Sequence, residues 1–90
     1  MRTAPPVLTY AVVSTRYVVP PKNWRDAPYT EIVVAADVHD PQARRLTLIT
    51  RDPALIARAL LLEGTEQYVG LTYRSEAGPK TRRLVLEDIR

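Results

Sequence analysis

The 90-residue chain contains no cysteine and no phenylalanine, and it has only one tryptophan, one histidine and three glycines. The absence of cysteine excludes disulfides, thiolate metal sites and cysteine nucleophiles together. Since His39 is the only histidine, no second histidine or cysteine completes a zinc site. His39 is also the only candidate base for Ser14 and Ser75. The glycines, at positions 64, 70 and 78, are too scattered to form a phosphate-binding loop. We therefore expect no metal, no cofactor and no enzymatic activity.

Long apolar runs are also missing. The longest, at residues 32–36 and 59–62, are far shorter than the roughly 20 residues with which a helix crosses a bilayer. Residues 1–6 lack the apolar stretch of a secretory signal. These absences predict a soluble, cytoplasmic protein without a membrane partner. The length suits one domain over residues 1–90.

What the chain does have is an ordinary apolar fraction and a basic charge balance. Apolar residues make up 46% of it, which is enough for one hydrophobic core. The net charge is +3 and the isoelectric point is near 9.6. A basic balance of this size favours a polyanionic partner without identifying one.

The single tryptophan, Trp24, lies in a proline-rich segment, residues 20–28, between two predicted strands. Three prolines disfavour a regular strand or helix there, so this segment is predicted to be a surface loop. A large aromatic ring beside Lys22 and Arg25 has two uses: it can stack on a nucleobase, or it can close the end of a barrel. The sequence leaves both open.

The residue patterns predict five strands and one short helix. β-Branched and aromatic residues with apolar side chains on both faces predict a long, bent or bulged first strand, and alternation predicts the others. The predicted strands cover residues 7–19, 29–38, 44–51, 68–74 and 81–89. Asp52 caps and Pro53 begins a helix of about ten residues, which Gly64 ends in a left-handed conformation.

The order β-β-β-α-β-β is typical of a small closed or partly closed barrel. Residues 59–73 resemble the helix, glycine turn and fourth strand of the OB-fold, and residues 82–89 resemble its fifth strand. The chain departs from many OB-folds in having no Asp-x-x-Gly turn between strands two and three. Without phenylalanine it also lacks the aromatic RNA motifs of cold-shock proteins. The resemblance implies a mainly β, five-stranded OB-like barrel with one short helix between strands three and four, loosely similar to small single-strand-binding members.

The resemblance also implies an oligonucleotide groove between the loop joining strands one and two and the loop joining strands four and five. Aromatic rings in such a groove stack bases while cations contact phosphates. The stacking candidates are Trp24, Tyr17 and Tyr29, and the phosphate candidates are Lys22, Arg25, Lys80, Arg82 and Arg83. A second basic surface comprises Arg45, Arg51 and Arg74. Its alternative interpretation is a solvated edge whose charges discourage aggregation.

From these features we expect non-catalytic binding of single-stranded nucleic acid, with DNA favoured over RNA. Sequence specificity is expected to be low, because stacking accepts any base. The alternative is a protein-interaction module: a small barrel that acts as an adaptor or subunit of a larger assembly, or as a homo-oligomer. Val33 and Ala35 on the second strand are a candidate oligomer contact.

Overall fold

The computed structural model describes residues 8–90, and this range is mainly β. It contains five strands and one α-helix in the predicted order, which confirms the fold class. The strands are β1 (Thr9–Val18), β2 (Tyr29–Ala35), β3 (Arg45–Thr50), β4 (Val69–Ala77) and β5 (Arg82–Ile89), and helix α1 (Pro53–Leu62) lies between β3 and β4. Val7, where the first strand was predicted to begin, is outside the described residues.

The five strands form one closed sheet with the order β1-β2-β3-β5-β4. The β3–β5 pair is parallel, and the other neighbouring strands are antiparallel. Closure removes the unpaired strand edges that invite aggregation. The strand order and the position of the helix are compatible with an OB-like fold.

The hydrophobic core lies inside the closed sheet. In β2, Ile32 and Val34 point inward, and in β3 Leu48 does so, because side chains alternate between the two faces of a strand. Each of these three side chains is at most 1% exposed. From α1, Leu55 and Ala59 complete the core beside them.

Helix α1 begins and ends as the sequence predicts. The Asp52 carboxylate accepts a hydrogen bond from the Ala54 amide at 2.9 Å, Pro53 is the first helical residue, and Gly64 has a φ of +73°. Leu55 and Ala59 face the core, whereas Leu60 of the same helix is 54% exposed. No helix in residues 8–90 has the length and apolar character needed to cross a membrane.

Two strand ends differ from the prediction by three residues. Strand β2 ends three residues early because the Asp37 carboxylate accepts a hydrogen bond from the His39 amide at 2.9 Å, which turns the chain. Strand β4 continues to Ala77, which pairs with Arg82. The connection between β4 and β5 is therefore a tight hairpin over residues 78–81.

Irregular pairing changes which side chains of β1 and β5 face inward. In β1 the register shifts between Val12 and Ser14, as expected for the predicted bulge, so that Thr15 rather than Ser14 pairs with an inward-facing residue of β2. In β5 a shift next to Leu86 places both Leu86 and Ile89 in the core. Strict alternation had predicted opposite faces for these two residues, which is wrong because the irregularity adds one residue between them.

Candidate functional site

A cleft opens on the outer face of the closed sheet, between the β1–β2 loop and the β4–β5 hairpin. Its floor is formed by Tyr29 and Glu31 of β2 and by Thr47 and Ile49 of β3. These four positions alternate with inward-facing residues of the same strands, which places them on the outer face. The cleft has a volume of about 270 Å³, slightly below the roughly 300–1,000 Å³ of small-molecule pockets.

Trp24 forms one wall of the cleft. It ends a single 3₁₀ turn (Lys22–Trp24) in which its amide donates to the Pro21 carbonyl at 3.0 Å. Arg25 follows with a φ of +54°, which turns the chain away after the ring. The tryptophan is 38% exposed and therefore presents part of its surface to solvent.

Lys80 stands on the opposite wall, in the hairpin. Its Nζ lies 5.4 Å from the centroid of the Trp24 ring, within the roughly 6 Å of a cation–π contact. The resemblance to the OB-fold implies that these two loops flank one groove, and here Lys80 and Trp24 meet across it.

The hairpin that carries Lys80 needs a glycine at its start. The Gly78 amide donates to the Thr81 carbonyl at 2.9 Å. A Cβ on Gly78 would lie 2.6 Å from that same oxygen, closer than real Cβ atoms approach. The close approach of the two backbones therefore depends on the absence of a side chain.

A carboxylate fixes the β1–β2 loop to the sheet. The Arg83 guanidinium donates to both oxygens of Asp26, at 2.8 and 3.2 Å, and Arg51 Nη2 donates to Oδ1 at 3.0 Å. Arg51 also donates to the carbonyls of Ala27 and Pro28. We call Asp26, Arg51 and Arg83 the Asp26 cluster. It connects the loop that carries Trp24 to β5 and to the residue that follows β3.

Asp26 and Arg83 each stabilise the charged form of the other. The hydrogen bond from Arg83 lowers the pKa of Asp26 below its ordinary value of 3.8, although partial burial acts in the opposite direction. The hydrogen bond to Asp26 raises the pKa of Arg83. Side-chain exposures of 12% for Asp26 and 17% for Arg83 limit competition from water.

The same two arginines hold the ring of Tyr29. The guanidinium carbons of Arg51 and Arg83 lie 5.8 and 5.7 Å from its centroid. Tyr29 is thus a fixed aromatic surface on the floor of the cleft.

The structure brings five of the predicted site residues to the cleft and leaves six outside its lining. The residues that line it are Trp24, Tyr29, Lys80, Arg82 and Arg83. Lys22 and Arg25 are exposed in the same loop as Trp24, and Arg51 lies behind that loop in the Asp26 cluster. Arg45 begins β3 on the outer face, beyond Thr47.

Arg74 and Tyr17 lie away from the cleft. The Arg74 guanidinium pairs with Glu76 at 3.2 Å. Tyr17 is 68% exposed and lines a separate depression with Ile56 and Leu60. The bulge in β1 is the cause, because one extra residue moves every later side chain of the strand to the other face.

Four basic side chains around the cleft remain available to a ligand. Among the described residues they form no ion pair with a carboxylate, and we call them the rim cations: Lys22, Arg25, Lys80 and Arg82. Arg82 does donate to the Ser75 hydroxyl at 3.0 Å. Arg83 and Arg51, by contrast, already bind Asp26.

Besides the hairpin residues Gly78, Pro79 and Thr81, the lining of the cleft contains four residues that were not among the predicted contacts: Asp26, Glu31, Thr47 and Ile49. The alternation of β2 and β3 puts the last three on the outer face and was the available signal. Asp26 had no comparable signal, since its partners lie 25 and 57 residues away along the chain.

The fold and the cleft define a small, mainly β protein with a solvent-open site between two loops. A comparison with protein-family models finds none that matches this chain, and no curated protein or solved structure matches it significantly.

Proposed function

We propose that this chain is an OB-fold protein that binds single-stranded nucleic acid in the cleft, with DNA favoured over RNA. The observation that carries the proposal is the meeting of Trp24 and Lys80 across the cleft, 5.4 Å apart, beside further uncommitted basic side chains. Binding of single strands uses this combination of aromatic stacking surface and cations along the backbone.

The arrangement favours single strands over duplexes. In a duplex the base faces are covered by their neighbours, so only an unpaired and unstacked base can place its face on Trp24 or Tyr29. The rim cations lie on the two loops and at the start of β5, where a backbone that crosses the cleft would pass. Trp24 would stack, and the fixed ring of Tyr29 would form a second aromatic contact.

The salt dependence of binding tests the role of the rim cations. If Lys22, Arg25, Lys80 and Arg82 each neutralise one phosphate, the logarithm of the binding constant falls with the logarithm of salt concentration with a slope of about −3, since each contact to a single strand contributes about −0.7. Tyr17, Arg74, Arg83 and Arg51 have no place in this proposed contact.

The decisive experiment is a titration with a labelled, mixed-sequence 12-nucleotide DNA, followed by fluorescence anisotropy and by the emission of the single tryptophan. We expect quenching on binding, weaker binding of the matched RNA and much weaker binding of duplex DNA. Trp24→Ala is expected to weaken binding more than about tenfold, because stacking contributes about 1–3 kcal/mol per base. Tyr17→Ala is the matched control, an exposed aromatic outside the cleft, and is expected to leave affinity within about twofold. Unchanged emission and anisotropy at low salt would overturn the proposal.

One observation favours the alternative function, a protein-interaction module. Tyr17 of β1 and Ile56 and Leu60 of α1 line a shallow apolar depression, in which Leu60 is 54% exposed. A patch of this kind marks interaction surfaces, although a standard interface buries about 800 Å² per partner. Self-association through this patch would appear as a concentration-dependent mass in analytical ultracentrifugation and would disappear in Leu60→Glu. A constant monomer mass up to millimolar concentration would exclude it.

A further inference from the structure

Glu31 on the floor of the cleft has hydrogen-bonding capacity that the protein does not use. Its side chain is 24% exposed, and its Oε1 accepts a hydrogen bond from Arg16 at 3.2 Å. Its Oε2 has no hydrogen-bond partner among residues 8–90. An ionised carboxylate only accepts hydrogen bonds, at about four lone-pair positions. Glu31 therefore offers acceptors, and no donor, to whatever enters the cleft.

A hydroxyl lies next to this carboxylate. Glu31 pairs with Ile49 and Val33 pairs with Thr47, so Glu31 and Thr47 are diagonal neighbours on the same face of the β2–β3 ladder. The Cα atoms of such diagonal neighbours are about 7–8 Å apart, and the ends of their side chains can approach each other more closely. The floor thus presents an acceptor-only group and a hydroxyl within reach of the edge of one base.

The distribution of charge favours a bound base whose hydrogen-bonding edge faces the floor of the cleft. Three of the rim cations lie on the loops and Arg82 begins β5, whereas Glu31 is in the middle of β2 on the floor between them. Phosphates are attracted to the rim cations, which have no carboxylate partner within residues 8–90, whereas the arginines nearest the floor are each paired with a carboxylate, so we expect the phosphates at the rim and the base pointing inward. The other carboxylate of the cleft, Asp26, is already occupied by two arginines.

The four bases differ in what they offer to a carboxylate. The pairing edge of guanine has two adjacent donors, N1–H and the N2 amino group, which match the two oxygens of a carboxylate. Adenine and cytosine offer one amino donor beside an acceptor, and thymine offers one N–H between two carbonyls. We propose that Glu31 reads the bound base and makes the cleft prefer guanine to thymine, with the Thr47 hydroxyl as a donor for guanine O6. This inference rests on the proposed function and gives it a base preference that stacking alone would not produce.

The test compares DNA pentamers of the form TTXTT, with thymine, guanine, hypoxanthine, adenine or cytosine at X. Wild-type protein is expected to bind the guanine pentamer about tenfold more tightly than the thymine pentamer, within the range of a bidentate base contact. Hypoxanthine lacks the N2 amino group and is expected to fall between them. In Glu31→Gln the guanine-to-thymine ratio should drop to within about twofold. The ratio is the readout, because removal of one negative charge raises the affinity for every oligonucleotide.

Glu87→Gln is the matched control, since this exposed acid of β5 lies outside the cleft. It removes the same charge and should keep the wild-type ratio. Equal affinities for all five pentamers, or a guanine preference that persists in Glu31→Gln, would overturn the base preference and leave the binding function standing. If neither the pentamers nor the mixed-sequence 12-nucleotide DNA binds, the binding function fails and this inference fails with it.

Discussion

Substitution of Asp26 by asparagine tests whether the Asp26 cluster holds the β1–β2 loop in place. Asp26 accepts three hydrogen bonds from two guanidinium groups, at 2.8, 3.2 and 3.0 Å. Asparagine is nearly isosteric, but it has no charge and only one acceptor oxygen. At least one donor of Arg83 then loses its partner in a site where that side chain is only 17% exposed.

The expected loss of stability follows from these contacts. A hydrogen bond to a charged group contributes about 1.5–3 kcal/mol, and the partly buried Arg83 contact belongs in that range. The Arg51 side chain is 41% exposed, so solvent screening limits its ion pair to about 0–1 kcal/mol. We expect Asp26→Asn to lower the free energy of unfolding by about 2–3 kcal/mol. For a domain of this size that corresponds to a decrease in melting temperature of about 10–20 °C.

The lowered pKa of Asp26 determines how the stability difference between wild type and Asp26→Asn changes with pH. A carboxyl group whose pKa is lower in the folded than in the unfolded chain stabilises the fold above its unfolded pKa, and this contribution is lost as pH falls through the folded pKa. Asp26 is such a group, because its pKa lies below the ordinary 3.8. The difference between wild type and Asp26→Asn is therefore expected to be complete at pH 7 and at pH 5, and to shrink below about pH 4.

Urea denaturation followed by circular dichroism and tryptophan emission measures this difference at each pH. Glu87→Gln controls for the loss of one negative charge and should change stability by less than about 0.5 kcal/mol, as exposed substitutions usually do. A destabilisation by Asp26→Asn below about 0.5 kcal/mol at pH 7 would refute the role of the cluster. So would a difference of equal size at pH 7 and pH 3.

Two further predictions concern the hairpin and the helix. Gly78→Ala is expected to lower the free energy of unfolding by about 1–3 kcal/mol in urea denaturation, because the new Cβ would lie 2.6 Å from the Thr81 carbonyl oxygen. Gly70→Ala is the control and should lower it clearly less, because the atom nearest to its new Cβ is 3.7 Å away. Equal destabilisation by the two substitutions would contradict the close approach at Gly78. Asp52→Ala removes the 2.9 Å hydrogen bond from the Ala54 amide and should lower the free energy of unfolding by about 0.5–2 kcal/mol in thermal denaturation. Asp52→Asn should retain most of the wild-type stability, because asparagine also caps helices well. An unchanged stability of Asp52→Ala would show that the cap contributes nothing.

The elements with local signals were predictable from the sequence. The start of α1 follows from Asp52 and Pro53, and the core faces of β2 and β3 follow from alternation around Ile32 and Leu48. These features depend on neighbouring residues alone. The element order then restricts the chain to few topologies, so that the positions of the two loops beside one groove could be anticipated.

The parts of the candidate site that depend on distant pairing were not predictable. Arg83 was expected to contact phosphate, but its guanidinium binds Asp26, which is 57 residues away, and no local pattern indicates that choice. Tyr17 was expected beside Trp24, but a bulge of one residue moves it to the other face of β1. The sequence indicates that β1 is bent or bulged but not at which residue, and the position of a bulge, like a partly buried ion pair, is decided by the packing of the complete fold.

The Asp26 cluster supplies in this cysteine-free chain the connection that a disulfide provides elsewhere. It joins residue 26 to residue 83 and so closes a long stretch of the folded chain; because a noncovalent contact breaks on unfolding, it stabilises the folded state and does not constrain the unfolded one. Unlike a disulfide, it forms without an oxidant and is indifferent to the redox state of its surroundings. It is instead weakened by protonation of Asp26, whose pKa lies below the ordinary 3.8, so the wall of the cleft that carries Trp24 keeps this connection at neutral and mildly acidic pH and loses it only in stronger acid.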